Sequence, residues 1–335
     1  MEHRFPKINY IGNKQKLSSW IIKNLPTLKN NTILDLFSGG SSVSYELKKN
    51  KYSVISNDAL YASFVLSKAI IENSEIFIEP YYLIEANNYD LTDNELNKYL
   101  WLSNRLYFPH EIEEIAKLIE FSKTLDGYIK YMFLSLLRRA MIRKLPYSRM
   151  NITWENIVKL RDEEYSYKKY GRRRAYHNLT FSELMLNDLE NYNQAIFNNG
   201  FDNIASQLDA KDALIKYKDI ADLVYIDPPY PGTMNNYNEF YGIFDQIFNK
   251  QIQFTNLTNK NEFLFNFNDL LRICSNYYSY AMISLNTNVK PNYLEIIELL
   301  KQYGTISITE KKHNYQISGK ANKNSNNEIL IIITF

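Results

Sequence analysis

Residues 227–230 read Asp-Pro-Pro-Tyr, follow the apolar run LVYI, and have side chains suited to amino-group chemistry. Because proline has no backbone N–H, the carbonyls of Asp227 and Pro228 and the Asp227 carboxylate form a rigid cluster that only accepts hydrogen bonds. Such a cluster can take both protons of an amino group on a flat ring, with Tyr230 stacked on that ring. The nitrogen lone pair could then attack an electrophile without a metal or a covalent nucleophile. The alternative is a strand end and an ordinary turn. The predicted catalytic residues are Asp227, Pro228, Pro229 and Tyr230.

Two further aspartates end apolar runs, Asp35 after TIL and Asp58 after SVISN. Ligands of an open parallel sheet bind at the carboxyl ends of its strands. Ser38, Gly39 and Gly40 follow Asp35, and glycines at that turn let the backbone approach a ligand closely. Asp58 could accept hydrogen bonds from two ribose hydroxyls, and the glycine turn has no lysine for a phosphate. The set predicts a nucleoside ligand, although each aspartate alone could cap a helix.

Asp212 is a fourth acidic candidate for the ligand site, with less support from the sequence than the other three. Asp212 ends the segment LDAKD at 208–212, shortly before the run LVYID. On a loop near the same sheet edge it could accept a hydrogen bond from an adenine amino group. A surface turn is the alternative.

The elements that would position these residues alternate between strand and helix. The apolar runs predict strands at 32–37, 53–58, 221–227 and 278–286. Helical stretches follow the first two runs, which favours an α/β fold with a mostly parallel sheet. The last two apolar segments, 305–317 and 327–335, flank a polar loop and predict an antiparallel hairpin.

The middle of the chain differs in composition. Residues 76–205 are rich in Tyr, Asn, Leu and charge, and their apolar spacing is mainly helical. We predict an inserted, mainly helical domain here, between two parts of one catalytic domain at 1–75 and 206–335.

Positive charge is concentrated within this insertion. Residues 138–174 contain twelve Lys and Arg against four acidic residues, whereas the whole chain has a net charge of +2. A basic block on a nearly neutral protein is typical of a surface that binds a phosphate backbone, although a solvated charged surface is the alternative. The candidates for contact with DNA are Arg138, Arg139, Arg143, Arg149, Arg172, Arg173 and Arg174.

Composition limits the class of protein. The chain has 335 residues, 45% of them hydrophobic, which suffices for one elaborated domain or two. It has no apolar run long enough for a membrane span, and its N-terminus lacks the apolar core of a signal peptide. One cysteine and four scattered histidines argue against a disulfide framework and a zinc cluster. We therefore expect a cytoplasmic protein without a metal.

Together these motifs resemble the Dam-like (alpha-group) adenine-N6 DNA methyltransferases. The group's D/N/S-P-P-Y/F/W motif matches residues 227–230. Its D-x-F-x-G-x-G motif is similar to residues 35–41, where Ser41 stands in the place of the last glycine. Residues 10–17, YIGNKQKL, resemble its G-x-K-x-x-L motif. A target-recognition insertion placed before the Asp-Pro-Pro-Tyr motif is the order of the alpha group.

The resemblance implies a Rossmann-like class I methyltransferase fold that binds S-adenosyl-L-methionine (AdoMet) and releases S-adenosyl-L-homocysteine. It implies direct methyl transfer to the amino nitrogen of adenine in a specific double-stranded DNA sequence, after the base has been flipped out. It further implies a monomer on DNA, encoded by a bacterium or phage, with a cognate restriction endonuclease as candidate partner. The implied cofactor-binding residues are Tyr10, Ile11, Gly12, Lys14 (near the methionine carboxylate), Asp35, Phe37, Ser38, Gly39, Gly40, Asp58 and Asp212.

Alternatives from the residues stay open. The acceptor could be cytosine N4, RNA or a protein glutamine, although glutamine methyltransferases favour NPPY and would not need a basic insertion. The chain could also be an inactive, sequence-specific DNA-binding subunit, against which the intact Asp227 and Tyr230 argue. Tyr237 and Tyr241 either line a pocket for the flipped base or pack in a core.

Overall fold

The computed structural model describes residues 3–231, 236–312 and 327–335. The chain divides into two compact units. The sheet unit comprises Gly12–Ala59, Asn199–Tyr237 and Ile252–Phe335, and the helical unit comprises Met1–Ile11, Leu60–Asn198 and Asn238–Gln251. These bounds differ from the predicted insertion at 76–205, and the assignment of catalysis and target recognition to separate domains stays a prediction.

The described residues of the sheet unit form a seven-stranded sheet in the order β3-β2-β1-β4-β5-β7-β6. Its strands are β1 (Thr32–Asp35), β2 (Ser53–Asn57), β3 (Ile204–Ser206), β4 (Leu223–Ile226), β5 (Tyr280–Asn286), β6 (Thr305–Lys312) and β7 (Asn327–Thr334). The first five are parallel, β7 is antiparallel to β5, and β6 is antiparallel to β7. The predicted mostly parallel sheet with antiparallel C-terminal strands is confirmed. Residues 313–317 of the predicted hairpin lie outside the described residues.

The strand order places a change of direction between β1 and β4. From β1 the chain continues outward to β2 and β3, and β4 and β5 then extend the other side of the sheet. Such a switch leaves a crevice at the carboxyl ends of the two central strands, which is where ligands of these sheets bind. Both strands are buried along their whole length, as expected for parallel strands covered on both faces.

Helices of the sheet unit complete its core. They are α1 (Ser18–Lys23), α2 (Ser42–Lys49), α12 (Ala210–Lys216), α14 (Phe263–Tyr277) and α15 (Tyr293–Leu300). Phe263, Phe267 and Leu271 of α14 are fully buried in one hydrophobic cluster with Val224 of β4 and Ile283 of β5. This packing fixes β4, and with it the position from which the Asp-Pro-Pro-Tyr motif begins.

The helical unit has no β-strand among its described residues apart from an isolated bridge between Ser103 and Tyr107. Its α-helices are α3 (Tyr61–Ser67), α4 (Tyr81–Asn87), α5 (Asp93–Asn97), α6 (Ile112–Thr124), α7 (Gly127–Arg143), α8 (Trp154–Arg161), α9 (Glu163–Tyr170), α10 (Ala175–Asn178), α11 (Phe181–Asn193) and α13 (Tyr237–Ile247), whose first residue belongs to the sheet unit. A π-helical turn (Lys68–Glu72) continues α3, and short 3₁₀ turns lie at Leu100–Leu102, Pro109–Glu111 and Pro146–Ser148. The central helix α7 packs against α3, α6 and α11, because its apolar residues recur on more than one face.

Candidate active site

Asp35 ends β1 and is buried, with 1% of its surface exposed. The Ser44 hydroxyl donates to its Oδ2 at 2.6 Å, but Oδ1 has no hydrogen-bond partner among the described residues. Burial raises the pKa of Asp35 to about 7; Ser44 opposes this, and the charges of Asp227 and Asp58 add to it. A buried carboxyl group with one unpartnered oxygen suits a cationic ligand group.

The turn after β1 has left-handed backbone at two positions. Gly39 has φ +49° and Ser41 has φ +56°. The Gly39 N–H donates to Asp58 Oδ2 at 2.8 Å, and the Ser38 N–H donates to the Asn57 carbonyl at 2.8 Å. These bonds join the turn to the end of β2 and place the Asp58 carboxylate beside Gly39. Ser41 keeps the backbone conformation that a glycine would adopt without strain.

The two other predicted residues of this turn lie inward. Phe37 is partly buried against the hydrophobic cluster of the sheet unit, and Gly40 is buried. Phe37 therefore contributes to the core, and the main chain at Gly40 is enclosed.

Asn57 also organises this edge, although no sequence motif includes it. Its Nδ2 donates to the carbonyls of Leu36 at 3.2 Å and Leu208 at 3.1 Å, and the Ser206 hydroxyl donates to its Oδ1 at 2.7 Å. One buried amide thus joins the segments that follow β1 and β3. The only signal in the sequence is a polar residue at the end of an apolar run.

Asp227 follows β4 directly and pairs with Lys14. The Lys14 ammonium lies 3.2 Å from Asp227 Oδ1 and 3.8 Å from Glu328 Oε2. Burial raises the pKa of Asp227 to about 6; the Lys14 charge lowers it and the Glu328 charge raises it. The Asp227 side chain is 20% exposed and therefore has some access to solvent. Lys14 is placed here as the counter-ion of the motif carboxylate.

The rest of the motif leads into the core. Pro228 is buried and Pro229 is half-buried. Tyr230 is 5% exposed, its hydroxyl donates to the Ser284 carbonyl at 3.0 Å, and its ring lies 5.5 Å from that of Phe263. The ring thus packs in the hydrophobic cluster of the sheet unit, and its predicted stacking on a base stays a prediction.

Asp212 is exposed and lies in the first turn of α12. The capping residue of that helix is Asp209, which accepts from the Lys211 N–H at 3.0 Å and from the Thr255 hydroxyl at 3.1 Å. Asp209 therefore serves as the helix cap, whereas the Asp212 carboxylate is exposed.

The N-terminal motif contributes a glycine that cannot be replaced without movement. Gly12 has φ +78°, and a Cβ added to it would collide with the Tyr237 hydroxyl within the sheet unit. Two requirements, a left-handed backbone and a close approach, therefore select glycine two residues before Lys14.

Tyr10 and Ile11 belong to the helical unit and are held there by Tyr241. The rings of Tyr10 and Tyr241 stack with centroids 4.7 Å apart, and the Ile11 N–H donates to the Tyr241 hydroxyl at 2.9 Å. The Arg138 guanidinium lies 5.5 Å and 5.1 Å from the two ring centroids. Tyr241 has no exposed surface, which agrees with core packing rather than with a pocket wall.

Two of the seven arginines predicted to contact DNA are internal. Arg138 is 1% exposed and Arg139 is 4% exposed. Arg138 donates to the Ile8 carbonyl at 3.3 Å, while Arg139 donates to Asp188 Oδ2 at 2.6 Å and to the Lys7 carbonyl. Placed in this way they expose very little surface, which argues against the predicted contact of these two side chains with DNA. They hold the N-terminal segment against α7 instead.

Four of the other five predicted arginines line a cavity of the helical unit, which we call the basic cavity. Its volume is about 400 Å³. Arg174 stacks over Tyr170 at 5.0 Å, and Arg143 pairs with Asp188 at 2.8 Å. Arg149 itself is outside the lining but directly follows Ser148, which is part of it. Its guanidinium lies 5.7 Å from the ring centroid of Tyr147 and 5.4 Å from that of Phe240. The charged and aromatic residues that line the cavity are Arg143, Arg172, Arg173, Arg174, Tyr147, Tyr170 and Tyr176.

Two features are absent from the described part of the chain. No group of three or more His, Cys, Asp or Glu side chains is arranged there to hold a metal ion. No helix in it combines the length and apolar character needed to cross a membrane.

Comparisons with known proteins agree on one family. The model of the D12 class N6 adenine-specific DNA methyltransferases matches residues 10–314. The chain is 39% identical to type II methyltransferase M2.HphI of Haemophilus parahaemolyticus, with 98% of each chain covered. It is 25% identical to type II methyltransferase M.CviAII of Paramecium bursaria Chlorella virus 1, with 92% of each covered. It is 24% identical to modification methylase LlaI of Lactococcus lactis subsp. lactis, of whose length it spans 50%.

The family match extends from the Tyr10 motif through the glycine turn and the Asp-Pro-Pro-Tyr motif to the end of β6. It therefore includes the strand ends at which Asp35, Asp58 and Asp227 are assembled. The chain belongs to the D12 class of N6 adenine-specific DNA methyltransferases.

Proposed function

We propose that this enzyme transfers the methyl group of AdoMet to the exocyclic amino nitrogen of an adenine flipped out of a specific double-stranded DNA sequence. We propose further that it is the modification enzyme of a type II restriction-modification system. One observation carries the reaction: the carboxyl groups of Asp35 and Asp227 lie at the ends of the adjacent strands β1 and β4, close enough for the charge of Asp227 to raise the pKa of Asp35.

The Asp35 side of this pair fits the cofactor. Its Oδ1 is buried and has no hydrogen-bond partner among the described residues, so a cationic group would stabilise the ionised carboxylate. Gly39 and Asp58 beside it provide backbone approach and hydrogen-bond acceptors for a nucleoside. AdoMet, when bound, supplies an electrophilic methyl group on a cationic sulfonium. The residues proposed to hold it are Tyr10, Ile11, Gly12, Lys14, Asp35, Phe37, Ser38, Gly39, Gly40, Asp58 and Asp212.

The Asp227 side fits the acceptor base. The ionised carboxylate and the carbonyls of Asp227 and Pro228 accept the amino protons and orient the nitrogen lone pair toward the methyl group. An adenine that is stacked in duplex DNA cannot reach a site at the carboxyl end of β4. The base must therefore flip out of the DNA double helix. Tyr230 is proposed as the ring beside it.

The basic cavity supports the proposal that the helical unit contacts DNA. Arg172 and Arg173 are exposed, and tyrosines line the cavity together with the arginines. Guanidinium groups bind phosphates with paired N–H donors, and such contacts position a protein on DNA without specifying a sequence. We therefore assign phosphate contact to Arg143, Arg149, Arg172, Arg173 and Arg174, and leave Arg138 and Arg139 out.

The role in restriction-modification is supported by the names of the similar proteins, which are type II methyltransferases and a modification methylase. By that analogy the enzyme would methylate its own host's recognition sites and so protect them from a cognate endonuclease.

The test of the reaction uses AdoMet labelled in the methyl group and unmethylated genomic DNA. After incubation and digestion to nucleosides, label is expected in N6-methyldeoxyadenosine. Label only in cytosine, or none, would contradict the proposal. Sequencing of the methylated DNA for modified adenines then identifies the target. A DNA substrate modified at that target should resist an endonuclease that cuts it in the unmodified state.

A further inference from the structure

Glu328 is a buried acid that neither the motifs nor the proposed chemistry accounts for. It has no exposed surface. Asn286 Nδ2 donates to its Oε1 at 3.3 Å, and the Lys14 ammonium lies 3.8 Å from its Oε2. Its Oε2 has no hydrogen-bond partner among the described residues. The contacts of Glu328 therefore offset only part of the cost of burying its negative charge.

The topology explains how Glu328 reaches the Asp-Pro-Pro-Tyr motif. Strand β7 runs antiparallel to β5, so its first residues lie at the edge where β5 ends, and Glu328 pairs with Asn286 there. Strands β4 and β5 are parallel, so Asp227 emerges at the same edge. An acid at the start of the last strand is thereby placed 3.8 Å from the ammonium of the lysine that pairs with Asp227.

Stability alone does not account for this acid. Taking a carboxylate out of water costs several kcal/mol, and an imperfect ion pair at 3.8 Å does not fully offset that cost. Buried ion pairs can often be replaced by apolar side chains without loss of stability. The neighbouring residues Ile329, Leu330 and Ile331 are buried and apolar, so the strand would pack with an apolar residue here as well.

We propose that Glu328 is a positioning residue for methyl transfer: it holds the Lys14 ammonium against Asp227 and thereby sets the charge and orientation of the acceptor carboxylate. This inference rests on the proposed role of Asp227 as the acceptor of the adenine amino protons. A residue of the C-terminal hairpin, outside all the motifs, thus controls the central catalytic carboxylate through an intervening lysine.

Two opposite charges act on Asp227 in this arrangement. Lys14 favours its ionised form and Glu328 favours its protonated form. The other titratable groups that interact electrostatically with it are Asp35 on β1, Tyr225 on β4 and Tyr230 in the motif. None of these is altered in the test, so a change in the acid limb of the pH profile reports on Lys14 and Glu328.

The test measures kcat and KM for DNA between pH 5 and pH 9 in the full-length enzyme. Glu328→Gln keeps the size of the side chain and its bond from Asn286 but removes the charge. Because the amide keeps its place beside Lys14, loss of the negative charge near Asp227 is the main change, and the acid limb is expected to move to lower pH by about one unit. A lower kcat and an unchanged KM for DNA are expected with it, since the neutral amide holds the ammonium less firmly. Lys14→Gln is expected to move the limb to higher pH, and Lys14→Arg to restore it.

The control is Glu310→Gln, the same change at an exposed position on the adjacent strand β6, which should leave the profile unmoved. An acid limb that stays in place in Glu328→Gln, or moves in the same direction in both charge-removing variants, overturns the inference. If Glu328→Gln does not fold, Glu328→Asp keeps the charge but withdraws it from Lys14. It is then expected to lower kcat at unchanged KM, and a wild-type kcat would overturn the inference. An inactive wild-type enzyme in this assay would instead count against the proposed function.

Discussion

The Lys14 ammonium lies 3.2 Å from Asp227 Oδ1, so the N-terminal motif provides the counter-ion for the carboxylate of the Asp-Pro-Pro-Tyr motif. The two motifs, far apart in the chain, form one electrostatic unit within the sheet unit. Lys14 also reaches Glu328. Lys14 therefore retains an anionic partner when Asp227 is replaced. A substitution of Asp227 consequently tests its role in methyl transfer rather than its role in folding.

The first prediction concerns Asp227→Ala. Because Lys14 keeps Glu328 as a partner, the variant should fold with little loss of thermal stability, while methyl transfer falls by at least about 100-fold. Asp227→Asn retains one acceptor oxygen and should lose less activity than Asp227→Ala. Transfer of labelled methyl groups and calorimetric titration with AdoMet check both variants. An Asp227→Ala protein that does not fold would favour a purely structural role for the motif.

The second prediction concerns the buried carboxyl group of Asp35. Burial raises its pKa to about 7 from an ordinary value of 3.8. The folded protein therefore keeps a proton at Asp35 that the unfolded chain loses, and this group lowers the free energy of unfolding as the pH rises from about 4 to about 7. Asp35→Asn removes that effect. The free energy of unfolding of the variant minus that of the wild type should therefore increase from about pH 4 to about pH 7 and stay constant above that range.

Urea unfolding at pH 5 and pH 8 measures this difference, with the exposed Asp219→Asn as control. The same substitution removes the negative charge proposed to face the cofactor. AdoMet affinity should accordingly be lower in Asp35→Asn, and its increase between pH 6 and pH 8 in the wild type should disappear. A stability difference that is the same at both pH values would contradict the assignment of the raised pKa.

The third prediction concerns Ser41, which has φ +56° where the family motif has glycine. A left-handed backbone costs a residue with a Cβ about 1 kcal/mol. Ser41→Ala removes the hydroxyl and keeps that strain, whereas Ser41→Gly removes both. Ser41→Gly should therefore be more stable than Ser41→Ala by about 1 kcal/mol in chemical unfolding. At the adjacent helical position the order should reverse, with Ser42→Gly less stable than Ser42→Ala.

The fourth prediction concerns Glu111 in the helical unit, which forms paired bonds with Arg161 at 2.8 Å and 2.7 Å and an ion pair with Lys144 at 2.7 Å. Burial raises the pKa of Glu111, but the bonds and charges of Arg161 and Lys144 outweigh it and lower the pKa to about 2. Glu111→Gln leaves two buried cations without a carboxylate and should cost about 3–5 kcal/mol of stability at pH 7.

The sign of the pH dependence follows from the lowered pKa. The contribution of Glu111 is complete above its ordinary value of 4.5 and is lost as the pH falls from there toward 2. The gap between wild type and Glu111→Gln should therefore narrow below about pH 4. Glu113→Gln changes the exposed partner of Lys117 and should alter stability by less than about 0.5 kcal/mol. A gap that is constant from pH 7 to pH 3 would rule out this account of the cluster.

The sequence predicted those parts of the site that depend on local pattern. Asp35 and Asp58 follow apolar runs that become β1 and β2, and the end of a buried strand can be predicted from where such a run stops. The family motifs led to the same positions, and the match to the D12 class confirms the family. Both sources concern residues close together in the chain.

What could not be predicted depends on contacts between distant segments. Glu328 and Asn57 act at the sheet edge through partners on other strands, which no spacing rule relates to them. The burial of Arg138 and Arg139 could not be predicted because composition does not distinguish a solvated guanidinium from one buried against aromatic rings and carbonyls. The antiparallel pairing of β6 with β7 was predicted, but the pairing of β7 with β5, which brings Glu328 opposite Asn286, was not.

The fifth prediction separates the two kinds of arginine in the basic segment. Arg172 and Arg174 line the basic cavity, whereas Arg138 is internal. If the cavity binds phosphates, Arg172→Ala and Arg174→Ala should weaken binding to DNA of any sequence. Each should also lower the slope of log affinity against log salt by about 0.9 for every phosphate that the variant no longer neutralises, because fewer counterions are released.

Fluorescence anisotropy with labelled duplexes between about 50 mM and 200 mM salt, a range over which the screening of exposed charges changes strongly, checks this prediction. Arg272→Ala, which removes an exposed arginine from α14 of the sheet unit, should leave the slope unchanged. Arg138→Ala should instead lower thermal stability, since it removes the guanidinium packed against Tyr10 and Tyr241. Wild-type slopes in the two cavity variants would show that the basic cavity is a solvated surface, which is the alternative that the sequence left open.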